Sequence, residues 1–194
     1  MVPLMQPNTP RLITPRSLVL SGMIVFAVAV RLLAYFQPDA LPLNFSPVMA
    51  IAIFGGALFT DRRLALLVPL LAMFASDLVI GLHALIPVVY GCMALGVLLG
   101  SGLLRRKRSA LRVIAASVGG ATGFYLITNF FVWLTSGMYA MSAAGLGACY
   151  LAGLPFYQYG SLPGTLLWSG VLFGGFALLS HRYKALNALP QPAR

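Results

Sequence analysis

Nearly all the basic residues of this chain fall in every second gap between its apolar runs, and that pattern constrains the fold more than any motif. The runs lie at about 18–36, 47–60, 64–81, 84–104, 112–134 and 161–181. All but the short second run come close to the ~20 residues a helix needs to cross a hydrocarbon core of ~30 Å. With the N-terminus placed in the cytoplasm, one side collects Arg11, Arg16, Arg62, Arg63, Arg105, Arg106, Lys107, Arg108, Arg112, Arg182, Lys184 and Arg194. These are twelve of the thirteen Lys and Arg residues, and the intervening loops at 37–46, 82–83 and 135–160 hold none. Lys and Arg in short loops set the orientation of a membrane protein. The expectation is an all-α integral membrane protein with six transmembrane helices, a single membrane domain over residues 1–194, and both termini cytoplasmic.

Composition agrees, with 60% hydrophobic and 8% charged residues, where a soluble domain carries about a quarter charged. A net charge of +10 would point to nucleic acid in a soluble chain. Here topology and the anionic inner leaflet account for it, so the lipid bilayer is the expected partner and nucleic acid is not. Arg11 and Arg16 precede an apolar stretch in which Ala27-Val28-Ala29 resembles a signal cleavage site, and the segment is read as an uncleaved anchor. Cys92 within a span and Cys149 in the long outer loop make no disulfide framework.

Residues 137–159 are apolar enough to suggest a seventh span, but a seventh crossing would move His181 to Lys184 to the uncharged side. They are read instead as an interfacial or re-entrant segment, broken by Gly145, Gly147, Gly153 and Pro155, which covers the outer helix ends as a lid. Small residues four apart let helices approach closely in lipid. Gly96 with Gly100, Gly119 with Gly123, and Gly170 with Gly174 are therefore expected to pack inside one bundle.

An ionisable group inside a span needs a partner or a cavity. Asp77 near the outer end of the third span and Arg31 near that of the first are positioned to pair, either to fix the helices or to anchor a ligand. On the fifth span Thr122, Tyr125, Asn129 and Trp133 recur at steps of three and four, which aligns them on one face. That face is the best pocket wall, although Trp133 alone also suits an interfacial anchor. Tyr90 and Cys92 lie ~200° apart around the fourth helix and face different neighbours. His83, in the turn before it, has ligating capacity but no clustered partners, and His181 sits at the inner edge.

Three acidic residues, Asp39, Asp61 and Asp77, leave no paired-carboxylate site, and no phosphate-binding glycine loop or zinc motif is present. An intrinsic ATPase is excluded. Asp61, beside Arg62 and Arg63, is expected to orient a turn.

Several blocks together carry a resemblance. They are Asn44-Phe45-Ser46-Pro47 with Ala50 to Phe59, Ser76 to His83, Val89-Tyr90-Gly91, Thr128-Asn129-Phe130 with Val132-Trp133, Gly145-Leu146 with Cys149-Tyr150, and Pro155-Phe156. Over residues 44–175 the chain resembles an uncharacterised family of small bacterial inner-membrane proteins, departing at Thr165 where that family has an aspartate. In size and topology it is similar to the substrate-binding S components of energy-coupling factor transporters, closest to the solitary cobalamin type.

The resemblance implies a multi-pass protein of the bacterial inner membrane that binds a small solute for uptake. Cobalamin is the leading solute, as transported ligand rather than prosthetic group, with Cys92 meeting the corrin cobalt. A thiolate is a soft ligand suited to such a metal. An energising ATPase module is a partner in that class unless the protein is solitary. The first span lacks the Ala-x-x-x-Ala docking pattern and has only Ser17-x-x-x-Ser21. Tyr125, Asn129, Trp133, Asp77, Arg31, Asn44, Tyr90 and His83 are the expected substrate-binding residues. Two rival readings are a structural or assembly protein without a ligand, and a membrane enzyme using Cys92.

Overall fold

The computed structural model describes residues 14–37, 42 and 44–187. Arg11, Arg194 and Asp39 lie outside them. All secondary structure among the described residues is helical: α1 (Pro15–Phe36), α2 (Val48–Leu58), α3 (Arg62–Ile80), α4 (Ile86–Leu104), α5 (Ala110–Thr135), α6 (Ala143–Phe156) and α7 (Leu162–Arg182). A π-helical turn, Tyr157–Ser161, joins α6 to α7, and a 3-10 turn, Lys184–Asn187, follows α7.

The helix starts are set by local chemistry. Thr14 caps α1 in a reciprocal box with Ser17, and Pro15 fills the first helical position, where its missing N–H costs nothing. Asp61 caps α3 by accepting from the Arg63 and Leu64 amides at 2.7 and 3.4 Å, which is the turn-orienting role expected of it. Gly81 ends α3 at φ 111°, a conformation that suits glycine, and its N–H donates to the Asp77 carbonyl at 2.8 Å.

α1, α3, α4, α5 and the continuous stretch Ala143–Arg182 are long and apolar enough to cross a membrane. α2 is not: its 11 residues reach only ~16 Å. It is nonetheless the centre of the bundle, in contact with α1, α3, α4, α5 and α7 and buried from Met49 to Leu58. The second expected span is therefore a half-span enclosed by full-length neighbours.

Glycines make that enclosure possible. A Cβ on Gly56 would strike the backbone of Val97, and one on Gly100 the backbone of Ile53, so α2 and α4 cross backbone to backbone. Gly55 leaves room for the ring of Pro69 inside α3. Gly96 abuts Met49 and Ala52 as expected, but the other two proposed pairs do not pack against the described residues. A Cβ on Gly119, Gly123, Gly170 or Gly174 would meet nothing within 4 Å. On α5 it is Gly120, one residue further round, that meets Met49 and Ile53. Four-residue spacing marks a stripe, but it does not say which way the stripe faces.

Ten of the eleven described Lys and Arg residues lie at one end of the bundle, as the charge pattern required. Two of them close the C-terminus of α2. Arg16 donates to the Leu58 and Leu186 carbonyls at 3.0 and 2.8 Å, and Arg105 to the Phe59 carbonyl at 2.9 Å. Arg16 also lies 5.2 Å from the ring centroid of Phe176, which stacks edge-on against Phe54 of α2. Cations at a helix C-terminus oppose the negative end of its macrodipole.

The segment expected to be broken by glycine and Pro155 is instead a regular helix. Ser142 caps α6 by accepting from the Gly145 amide, and Pro155 sits within its last turn. α6 packs only on α5 and on the π-turn. The 19 residues from Tyr150 to Ser169 face Tyr125 and Ser117, which are only eight apart on α5. Those stretches amount to ~28 Å and ~12 Å of helix, so the return leg runs obliquely across α5 or bends at the π-turn. Residues 143–156 are thus helix rather than broken loop.

Candidate functional site

At the end of the bundle opposite the basic cluster, the missing upper half of α2 leaves an open cavity of about 1030 Å³. The ends of α1, α3 and α5 and the starts of α2 and α4 surround it, and the α6–α7 junction forms one side. Six of the nine residues singled out from the sequence line it: Arg31, Asn44, Asp77, His83, Tyr125 and Asn129.

The charged centre is a pair buried in the wall. Arg31 donates through one terminal nitrogen to an Asp77 carboxylate oxygen at 2.8 Å and through the other to the Ser76 hydroxyl. The second Asp77 oxygen accepts from the Tyr90 hydroxyl at 2.7 Å. Tyr90 is thus placed behind the wall, where it holds Asp77. Burial differs across the pair, with side-chain exposures of 18% for Arg31 and 4% for Asp77. A buried ion pair persists when further hydrogen bonds satisfy both partners. Asp77 has such bonds on both oxygens, whereas three of the five guanidinium N–H groups make none among the described residues.

The α5 stripe behaves as a unit. Thr122 shares a hydrogen bond of 2.8 Å with Tyr157, Tyr125 donates to the Tyr150 carbonyl at 2.6 Å, and Trp133 donates through its indole to the Ala140 carbonyl at 2.9 Å. Asn129 donates to the Tyr125 carbonyl at 2.9 Å and lies flat against Gly153, where a Cβ would collide with its amide. Tyr125 and Tyr157 stack with centroids 4.9 Å apart and planes 31° from parallel. Tyr125 and Asn129 reach the cavity; Trp133 instead ties the α5–α6 loop and is not part of the wall.

Cys92 is 2% exposed in the hydrophobic core and does not line the cavity. Cys149 is buried against α5, where its thiol donates to the Asn129 carbonyl at 3.3 Å, and both thiols are free. No three His, Cys, Asp or Glu residues cluster as metal ligands among the described residues. His83 sits at the cavity mouth, exposed. Thr165 lines the cavity with its hydroxyl donating back to the Ser161 carbonyl at 2.7 Å.

Sequence reasoning missed two things. One is the approach of Phe45 and Ser46, just before α2, to Gly164 of α7, where the Ser46 hydroxyl is buried without a partner among the described residues. The other is the π-turn, whose end residues Tyr157 and Ser161 reach the cavity together with the preceding Phe156. A π-turn inside a helix often marks a functional site, and the sequence carries no signal for it beyond Gly160.

No curated protein and no solved structure matches this chain. The model of a family of unknown function, DUF6580, matches residues 11–187, and the chain belongs to that family.

Proposed function

We propose that this protein is a multi-pass protein of the bacterial inner membrane, with both termini cytoplasmic, that captures a small solute from outside for uptake. The observation that carries the reading is the cavity. It is large enough for a vitamin-sized molecule, is lined by a few convergent polar groups on an otherwise apolar wall, and opens at the end away from the positive charge.

A corrinoid is the specific solute that the resemblance to cobalamin-type S components supports. Because Cys92 stands behind the wall, a sulfur–cobalt bond would require the packing around α4 to open. Incubation with cobalamin, desalting and visible absorption, with Cys92→Ser alongside, tests that solute.

The wider reading is tested without choosing a solute. Protein purified from membranes is extracted and its small molecules are compared by mass spectrometry with those of Thr128→Trp, which fills the cavity from α5. A species present in the wild type and missing from a well-folded variant is expected. Identical extracts would sink the uptake reading.

A further inference from the structure

The polar groups of the cavity are unequally spent, and the imbalance points to the chemistry of what binds there; the inference rests on the uptake reading above. Asp77 is the one carboxylate among the described wall residues, and both of its oxygens are engaged. Arg31, the one Lys or Arg there and the more exposed member of the pair, keeps three N–H donors without a partner among the described residues.

Phe45, Ser46, Val48 and Met49 bring the start of α2 to the same cavity. No side chain caps that start and no acidic residue lies in its first turn. The first amides of a helix have no intrahelical acceptor and carry the positive end of its dipole. At the other end of α2, Arg16 and Arg105 already answer the negative pole, so the N-terminus is the pole left open. A half-helix whose N-terminus stops inside a bundle is a recurrent way to meet an anionic group. Beside it the Ser46 hydroxyl is buried and has no hydrogen-bond partner among the described residues, which makes it a further donor open to an acceptor.

We propose that the cavity takes a solute carrying an anionic acceptor group, a carboxylate or phosphate, seated between Arg31, the open start of α2 and the Ser46 hydroxyl. The flat part of the solute lies toward the stacked Tyr125 and Tyr157 rings. Asp77 and Tyr90 are positioning residues that aim the guanidinium.

Indole-3-acetate and indole-3-acetamide differ only at that group and serve as the pair of test compounds. Their dissociation constants are measured by saturation-transfer NMR on protein in phosphatidylcholine nanodiscs. The wild type is expected to bind the acid at least tenfold more tightly than the amide. Asp77→Asn keeps or enlarges the preference, because the amide oxygen still accepts from the guanidinium and aims it while the opposing negative charge is gone. The double variant Arg31→Gln/Asp77→Asn, which leaves no unpaired buried charge, loses the acid preference while its affinity for the amide holds. Ser46→Ala weakens the acid alone, by severalfold.

Equal binding of acid and amide would overturn the anionic head group and leave solute capture standing. No saturable binding of the acid would overturn it too. In discs containing phosphatidylglycerol, unchanged acid binding supports a soluble solute. Competition by that lipid supports the same anion site with a lipid head group as its occupant, and overturns the uptake reading alone.

Discussion

Substituting Gly100 with alanine tests the half-span architecture most directly. The added Cβ would overlap the Ile53 carbonyl, carbonyl carbon and Cα, backbone atoms that no rotamer change can move. Restoring an ordinary contact of ~3.5–4.0 Å requires α2 and α4 to separate by roughly 1.5–2 Å, a gap that forfeits about half or more of each dispersion well. The facing residues Met49, Ala52, Ile53 and Gly56 are equivalent to about two fully packed side chains, with on the order of 100 atom contacts at ~0.1–0.2 kcal/mol each. The loss is then about 5 kcal/mol or more, above the usual overpacking range of ~1–3 kcal/mol. For a chain of this length that is a fall in Tm of about 10 °C or more. The assay is thermal unfolding in mild detergent followed by size-exclusion recovery, with Gly119→Ala and Gly170→Ala as controls. Those glycines have open space where the Cβ would go, so the controls should unfold within about 2 °C of the wild type. If Gly100→Ala and Gly119→Ala behaved alike, the close crossing of α2 and α4 would be wrong.

Arg16→Met should destabilise the fold by about 2–4 kcal/mol, since it strands the Leu58 and Leu186 carbonyls and removes the cation over Phe176; Arg16→Lys should recover part of that loss in the same thermal assay. Tyr125→Phe combined with Tyr150→Phe removes two of the bonds that hold α6 to α5; hydrogen exchange should accelerate in residues 143–156 and remain unchanged in α2, and uniform acceleration would contradict α6 as a separately docked arm. Ser117→Ala with Ser169→Ala should show a coupling of about 0.6 kcal/mol in a double-mutant cycle, the usual size for a hydrogen bond between membrane helices.

What the sequence revealed depended on whether a signal was periodic and local. Helix positions followed from the length of each apolar run, and the expected 47–60 segment matches Val48–Leu58 because Pro47 and the turn at Asp61 bound it on either side. The single basic end followed from counting charges. The wall residues Tyr125 and Asn129 were visible because steps of three and four fix a face.

The direction of that face relative to other helices was not visible, and that is where the reading of Gly119, Gly123, Gly170 and Gly174 went astray. Residues 143–156 defeated a local reading for a different reason. Their glycines and Pro155 predict breaks, yet tyrosine and cysteine bonds to α5 hold the helix in place. The bond of Tyr90 to Asp77 and the clamps of Arg16 and Arg105 on the end of α2 depend on tertiary placement alone. The Cys92 assignment came from resemblance, and periodicity placed it correctly on a face away from Tyr90.

The short central helix has an electrical consequence. A uniform ~30 Å slab spreads a transmembrane potential evenly along its depth, but a water-filled cavity conducts, so most of the drop falls across the ~16 Å that α2 seals. The local field is then about twice the average. A charged solute resting on the start of α2 sits close to the potential of the open side, so capture should be almost insensitive to voltage. Carrying that charge past Arg16 and Arg105 crosses nearly the whole drop, ~2.3 kcal/mol per charge for each 100 mV. The polarisation of the membrane would set the direction and rate of release while leaving binding alone.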